Sequence, residues 1–81
     1  MEHGKSTWIW TDHILHQMEE RKISRELVEA ALDNPDDKMP GKKNRLVYQK
    51  ISDDKLIRII TEGNKLITAY VTDKVKKYMR G

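Results

Sequence analysis

The chain has 81 residues, of which 37% are hydrophobic and 36% are charged, and it contains no cysteine. An independent core usually needs on the order of 100 residues, so two domains are excluded and a single domain over residues 1–81 is expected. The lack of cysteine excludes a disulfide-stapled secreted scaffold, a cysteine-based zinc module and a thiol nucleophile.

Neither a membrane span nor a secretory signal is indicated. No apolar run approaches the roughly 18 residues that a membrane span needs. The first residues, Met1 to Lys5, lack the apolar segment of a signal peptide. We therefore expect a cytoplasmic protein that does not contact a membrane.

Charge is distributed unevenly along the chain. Residues 1–41 carry five Lys/Arg and nine Asp/Glu, a net charge of −4, whereas residues 42–81 carry eleven and four, a net charge of +7. Cations that lie within about 10 Å of one another act together on a polyanion. The basic half therefore predicts a surface for nucleic acid or an acidic protein, or else a lysine-rich sheet edge that resists aggregation.

Two helices are predicted in the N-terminal half, after a short extended segment over residues 7–10. Thr11 or Asp12 is a candidate N-cap for the first helix, because its side-chain oxygen can accept a hydrogen bond from the first turn. This helix is expected to run through Arg21. Its apolar face comprises Ile14, Leu15 and Met18.

The second helix is predicted between Ser24 and Asn34. Ser24 is its candidate N-cap, and Glu26 places a negative charge in the first turn, where the helix dipole favours an anion. Pro35 disfavours helical geometry in the residue before it, so the helix should end there. Its apolar stripe, expected to form part of the core, comprises Leu27, Val28, Ala31 and Leu32.

Beyond the turn-rich residues 36–41, the hydrophobic period changes from helical to alternating and indicates strands. Gly63-Asn64 suits a two-residue type II′ hairpin turn, with glycine where φ must be positive. The three predicted strands are Arg45 to Ile51, Lys55 to Glu62 and Leu66 to Thr72. The turn predicts three pairs across the last two strands: Ile60 with Ile67, Arg58 with Ala69 and Leu56 with Val71.

The predicted fold is α+β, with two N-terminal helices packed on one face of an antiparallel sheet of three or four strands. Val75 to Arg80 would add a short helix or a last edge segment. Which face of the sheet receives the helices stays open, since a one-residue slip exchanges the two faces. The face without helices is then available for a ligand.

Candidate chemistry comes from cations and phenols rather than from metal ligands. His13 and His16 share a helix face but lack a third ligand, so no metal or other cofactor is expected. Cations around a phosphate stabilise the charge of its transition state, a tyrosine can stack on a base or donate a proton, and RNA supplies its own nucleophile in the 2′-hydroxyl. The candidate RNA-binding residues are Lys42, Lys43, Lys50, Lys74, Lys76, Lys77 and Arg80.

Six short motifs follow one another between about residues 9 and 72: Asp12-His13, Glu20-Arg21-Lys22-Ile23-Ser24, Leu32-Asp33-Asn34-Pro35, Arg45-Leu46-Val47-Tyr48, Leu56-Ile57-Arg58-Ile59-Ile60 and Leu66-Ile67-Thr68-Ala69-Tyr70. Their order resembles a small bacterial domain family of unknown function in the RelE/ParE-like toxin superfamily. The resemblance implies a RelE-like fold and a toxin of a toxin–antitoxin module, whose antitoxin wraps the basic surface. Some superfamily members cleave mRNA on the ribosome.

The same resemblance implies candidate catalytic residues. His13 and Arg21 match the family's first-helix histidine and inter-helix arginine, while Arg45, Arg58 and Tyr70 fall where superfamily nucleases place strand cations and a terminal aromatic residue. The catalytic candidates are therefore Arg45, Arg58, Tyr70 and His13. Structural alternatives remain, with Arg21 as a helix cap, His13 as a hydrogen-bonded ring and Tyr70 as a core residue.

Two functions follow from these observations. In the first, a toxin-like protein engages RNA or the ribosome through a basic sheet face and cleaves mRNA without a metal ion. In the alternative, a non-catalytic interaction module uses its basic half to bind an acidic protein segment.

Overall fold

Residues 8–78 are the part of the chain that the computed structural model describes. Its helices are α1 (Asp12–Arg21), α2 (Arg25–Asp33) and α3 (Val75–Tyr78), and none of them is long and apolar enough to cross a bilayer. Its strands are β1 (Ile9–Trp10), β2 (Asp37–Pro40), β3 (Arg45–Ser52), β4 (Lys55–Glu62) and β5 (Lys65–Thr72). The predicted α+β class is confirmed.

The sheet is larger than predicted and is mixed, with the strand order β1-β5-β4-β3-β2. The expectation of three or four antiparallel strands missed both edge strands. Strand β1 pairs in parallel with β5 over two residues, which is too short to show an alternating pattern. Strand β2 pairs with β3 but consists of Asp-Lys-Met-Pro, and such charged residues and proline are tolerated at a sheet edge.

Of the two candidates for the first N-cap, the structure has Thr11, and Ser24 is confirmed as the second N-cap. Thr11 Oγ1 accepts a hydrogen bond from the backbone N–H of Ile14 at 3.2 Å, and Ser24 Oγ accepts one from Leu27 at 3.1 Å. The first helix ends at Arg21, and the next residue, Lys22, caps it in left-handed geometry with φ 58°. The second helix ends at Asp33, as the following Asn34-Pro35 pair predicts.

Helices α1 and α2 pack on one face of the sheet and enclose the core. Leu15 and Leu27 depart from the prediction, because Leu15 is 42% exposed and Leu27 is half-buried at the margin of the core. The buried residues of this cluster are Ile14, Met18, Ile23, Val28, Ala31, Leu32, Tyr48, Ile57, Ile59, Leu66 and Ala69. Since side chains alternate along a strand, Arg58 of β4 points to the opposite face.

The β4–β5 hairpin differs from its predicted register by one residue. Gly63-Asn64 connects the strands as expected, with Gly63 at φ 62°. A β-bulge near the turn then shifts the pairing, so Arg58 lies opposite Tyr70 instead of Ala69. A bulge inserts one unpaired residue, and the local sequence carried no sign of it. The other two predicted pairs shift likewise, with Ile60 opposite Thr68 and Leu56 opposite Thr72.

Side chains of α1 cap the outer edge of β5 beyond its short contact with β1. The backbone N–H of Ala69 donates to Gln17 Oε1 at 3.2 Å, and Arg21 Nη1 donates to the carbonyl oxygen of Ala69 at 3.0 Å. Unpaired backbone N–H and C=O groups at a sheet edge can pair with a strand of another chain. These two hydrogen bonds occupy both backbone groups of Ala69. Arg21 therefore satisfies a backbone carbonyl group at the edge of β5.

The β3–β4 turn is a place where glycine should stabilise the fold. Asp53 and Asp54 have φ values of 52° and 67°, the left-handed geometry that a type I′ turn requires and that costs an L-residue energy. Asp54→Gly is expected to raise the free energy of unfolding by about 0.5–1 kcal/mol, measured by urea denaturation. Gly63→Ala, also at positive φ and with open space around a new Cβ, should lower it. A destabilised Asp54→Gly protein would contradict this account of the turn.

Candidate functional site

A row of polar side chains crosses the sheet on the face opposite the helices. Asp37 of β2, Gln49 of β3, Arg58 of β4 and Tyr70 of β5 lie directly opposite one another in successive strand pairs. Arg58 Nε donates to Gln49 Oε1 at 2.6 Å, and Arg58 Nη1 donates to the Tyr70 hydroxyl. Arg58 is half-buried, so neighbours from both adjacent strands hold its guanidinium group in one orientation.

A groove of about 300 Å³ lies on this face beside the polar row. Its apolar surface comes from Val47 and Ile60, and its three positive charges come from Lys42, Arg45 and Arg58. Guanidinium groups bind phosphate oxygens through paired N–H donors, so the chemistry of two arginines and a lysine around one concavity suits a phosphate.

Arg45 enters this groove from the first residue of β3. Its Nε lies 3.4 Å from a carboxylate oxygen of Glu62, and its side chain is 43% exposed. An exposed ion pair of this kind contributes little stability, typically about 0–1 kcal/mol. The ion pair with Glu62 therefore restrains Arg45 only weakly.

Tyr70 is half-buried on the groove face and lies outside the helix-side core, contrary to the core alternative. Its ring centroid is 5.7 Å from the guanidinium carbon of Arg58, within the range of a cation–π contact. Because its hydroxyl oxygen accepts from Arg58, the hydroxyl proton must point away from that donor. The phenol therefore keeps its own proton available for donation. Tyr70 does not itself line the groove, and its hydroxyl adjoins it through Arg58.

The structure places His13 apart from these residues. His13 is exposed in the first turn of α1, and α1 packs on the opposite face of the sheet from Arg58 and Tyr70. Nearby on the same helix, His16 Nε2 lies 3.3 Å from a carboxylate oxygen of Glu20 at the protein surface. Within residues 8–78, no three His, Asp or Glu side chains cluster as a metal site would require.

The predicted RNA-binding lysines are dispersed. Lys42 lines the groove, and Lys43 is exposed beside it in the β2–β3 turn. Lys50 is on the helix side, where its Nζ donates to the carbonyl oxygen of Asn34 at 3.1 Å. Exposed positions after β5 are occupied by Lys74 and Lys76. The Lys77 side chain and Arg80 lie outside the described residues.

The sequence prediction missed Gln49 and Asp37. Gln49 is wholly buried, although glutamine is usually exposed, and Asp37 was placed in a loop rather than in an edge strand. The available signal for Gln49 is its position between Val47 and Ile51, since alternate residues of a strand share a face. Asp37 had no comparable signal.

A second concavity of about 280 Å³ lies on the helix side, between the α1–α2 turn and the end of the β3–β4 hairpin. Its floor is apolar and its rim carries three cations. The apolar residues are Ile23, Leu27, Ile57 and Val71, and the cations are Arg21, Lys22 and Lys55. Asp53 and Ser52 complete the rim.

Residues 10–71 match the model of a protein family described as a Domain of unknown function, DUF4258. The match covers well over half of the chain. Comparisons with curated proteins and with solved structures give no match. None of the three comparisons links the chain to the RelE/ParE superfamily.

Proposed function

The chain belongs to the DUF4258 family of domains of unknown function, and we propose that it binds RNA in the groove beside Arg58 and cleaves it without a metal ion. The observation that carries this proposal is the double anchoring of Arg58 by Gln49 and Tyr70 in a groove that also contains Arg45. Preorganised cations of this kind stabilise a developing phosphate charge without reorganising during the reaction.

The groove fits one nucleotide unit of a single strand. Its apolar surface, formed by Val47 and Ile60, suits the ribose or a base, while Lys42, Arg45 and Arg58 suit the phosphate. A ribose or base that covers this apolar surface would exclude water from it, and the attraction between the phosphate and the cations is stronger where water is excluded. RNA recognition commonly uses unstacked single-stranded nucleotides in this way.

Cleavage would proceed by attack of the ribose 2′-oxygen on the adjacent phosphorus. The bond between the 2′-oxygen and phosphorus forms as the bond to the 5′-oxygen breaks, which leaves a 2′,3′-cyclic phosphate and a 5′-hydroxyl end. Water accepts the 2′-hydroxyl proton, and the Tyr70 hydroxyl donates a proton to the 5′-oxygen and later regains one from water. Arg45 and Arg58 stabilise the additional negative charge in the transition state.

The resemblance of the sequence motifs to RelE/ParE-like toxins supports a biological setting for this activity. In that setting the protein is a toxin-like component of a bacterial toxin–antitoxin module, its substrate is mRNA alone or on the ribosome, and an antitoxin restrains it. The basic half of the chain, with its net charge of +7 over residues 42–81, suits both RNA and an acidic antitoxin.

The second concavity favours one alternative function, the binding of an acidic protein segment without catalysis. Its apolar floor can take an apolar side chain, and Arg21, Lys22 and Lys55 at its rim complement acidic neighbours. A protein that binds no RNA at low salt would favour this alternative.

The proposal is tested by incubating the purified protein with a synthetic single-stranded RNA in the presence of EDTA. We expect cleavage that leaves 2′,3′-cyclic phosphate and 5′-hydroxyl ends, identified by mass spectrometry. The same oligonucleotide with 2′-O-methyl groups is the control and should remain intact, because it lacks the nucleophile. Failure to cut free or ribosome-bound RNA, or loss of cleavage in EDTA, would refute the proposed reaction.

A further inference from the structure

We propose that Gln49 and Asp37 are positioning residues that fix the guanidinium group of Arg58. This inference rests on the proposed function and deepens it, because it assigns the residues that hold the central cation in place. Gln49 is wholly buried and Asp37 bonds to Gln49, so both would act through Arg58 and not on the RNA itself.

The buried amide of Gln49 has a single orientation that satisfies both neighbours in the row. Its Oε1 accepts from Arg58 Nε at 2.6 Å, and its Nε2 donates to Asp37 Oδ2 at 3.4 Å. A guanidinium group can only donate and a carboxylate can only accept, so a flipped amide would lose both bonds. Gln49 is wholly buried, where losing a hydrogen-bond partner is costly.

Asp37 anchors the row at the edge of the sheet. While its Oδ2 accepts from Gln49, its Oδ1 accepts from the backbone N–H of Lys38 at 2.9 Å. The backbone of β2 therefore holds the Asp37 carboxylate in place. The fixed carboxylate in turn sets the orientation of the Gln49 amide. The row thus runs from an edge carboxylate through an amide to the cation of the groove.

This anchoring restricts the motion that matters most for an arginine, rotation of the guanidinium plane. With Nε held by Gln49 and Nη1 held by Tyr70, the plane is fixed by side chains from β3 and β5. A misplacement of about 1 Å in a catalytic group can cost about 10²-fold in rate. The positive charge itself is unchanged, so RNA binding should depend on the row much less than turnover does.

The test compares Gln49→Met with Thr61→Val. Methionine fills a similar volume without hydrogen bonds, and Thr61 is a matched control because it is also buried and polar in the sheet but bonds to Leu46 and not to the row. For Gln49→Met we expect kcat for RNA cleavage to fall by about 10²-fold with KM changed less than about twofold. We expect the Thr61→Val enzyme to keep the wild-type kcat.

A second readout does not depend on activity. In ¹H–¹⁵N NMR spectra, the Arg58 Nε–H signal should exchange slowly with water in the wild type and rapidly in Gln49→Met, while Thr61→Val preserves it. At the edge, Asp37→Asn retains an acceptor oxygen and should keep kcat within about threefold, whereas Asp37→Ala should lower it by more than about tenfold.

The outcomes separate the two proposals. An unchanged Arg58 Nε–H signal in Gln49→Met refutes the positioning role, whatever the activity. Equal losses of kcat in Gln49→Met and Thr61→Val refute it as well, since they would reflect a general loosening of the sheet. A wild-type protein that shows the protected signal but cuts no RNA refutes the proposed cleavage, and with it the catalytic purpose of the row.

Discussion

Arg58→Ala is expected to lower the single-turnover rate of RNA cleavage by about 10² to 10³-fold, the usual effect of removing one preorganised donor to a transition state. Arg58→Lys should recover little of this loss, because lysine keeps the charge but cannot hold Gln49 and Tyr70 simultaneously through a planar group. The measurement is cleavage of a labelled single-stranded RNA in EDTA, with protein in excess over RNA.

Arg25→Ala is the matched control for the Arg58 variants. Arg25 is an exposed arginine on α2, where it stacks on Trp10 and pairs with Glu29, so its removal subtracts the same charge from the opposite side of the sheet. Its cleavage rate should stay within about threefold of the wild type, as screening by salt predicts for distant charges. Equal losses in both variants would show that net charge, and not the groove, determines the activity.

The helices could be predicted well from the sequence because their signals are local. Thr11 and Ser24 are side chains that cap the first turn, and Pro35 restricts the residue before it, so each boundary depends on a few neighbouring residues. Burial within a helix depends on distant partners. Leu15 and Leu27 both occupy apolar positions at helical spacing, yet the sheet covers neither of them completely.

The strands show where local reasoning fails. Periodicity identified three central strands, but the bulge in the β4–β5 hairpin is a tertiary feature, and it changes every pair beyond the bulge. The shift decides the candidate site, because it places Tyr70 opposite Arg58 and on the same face. Composition suggested both residues, whereas their contact depends on a register that the sequence did not reveal.

The same limit applies to the other candidate residues. Arg45 and Lys42 were chosen as cations, and the groove unites them with Arg58 because β3 and β4 are adjacent. His13 was chosen by its position in a resemblance, and the packing of α1 places it on the other side of the sheet. Buried polar residues such as Gln49 are the hardest to foresee, since their partners come from other strands.

Ile59→Ala is expected to lower the free energy of unfolding by about 2–5 kcal/mol, the usual cost of truncating a fully buried isoleucine. Ile59 is completely buried in β4, opposite Tyr48 and Ala69, and belongs to the cluster that joins the sheet to both helices. Domains of ordinary stability have about 5–15 kcal/mol in total, and a domain this small buries less of its surface than most. The variant should therefore unfold at a clearly lower urea concentration than the wild type.

Leu27→Ala and Leu15→Ala test whether the loss of unfolding free energy follows the burial of the truncated side chain. Leu27 is half-buried at the core margin, so Leu27→Ala should lower the free energy of unfolding by less than Ile59→Ala does. Leu15 is 42% exposed, and Leu15→Ala should change the free energy of unfolding by no more than about 0.5 kcal/mol. Urea denaturation of the three variants should give the order Ile59, Leu27, Leu15. A costly Leu15→Ala would mean that α1 turns a different side to the sheet. A near-neutral Ile59→Ala would mean that the helices cover the other face of the sheet. Arg58 and Tyr70 would then face the helix layer, and the groove would not be open to RNA.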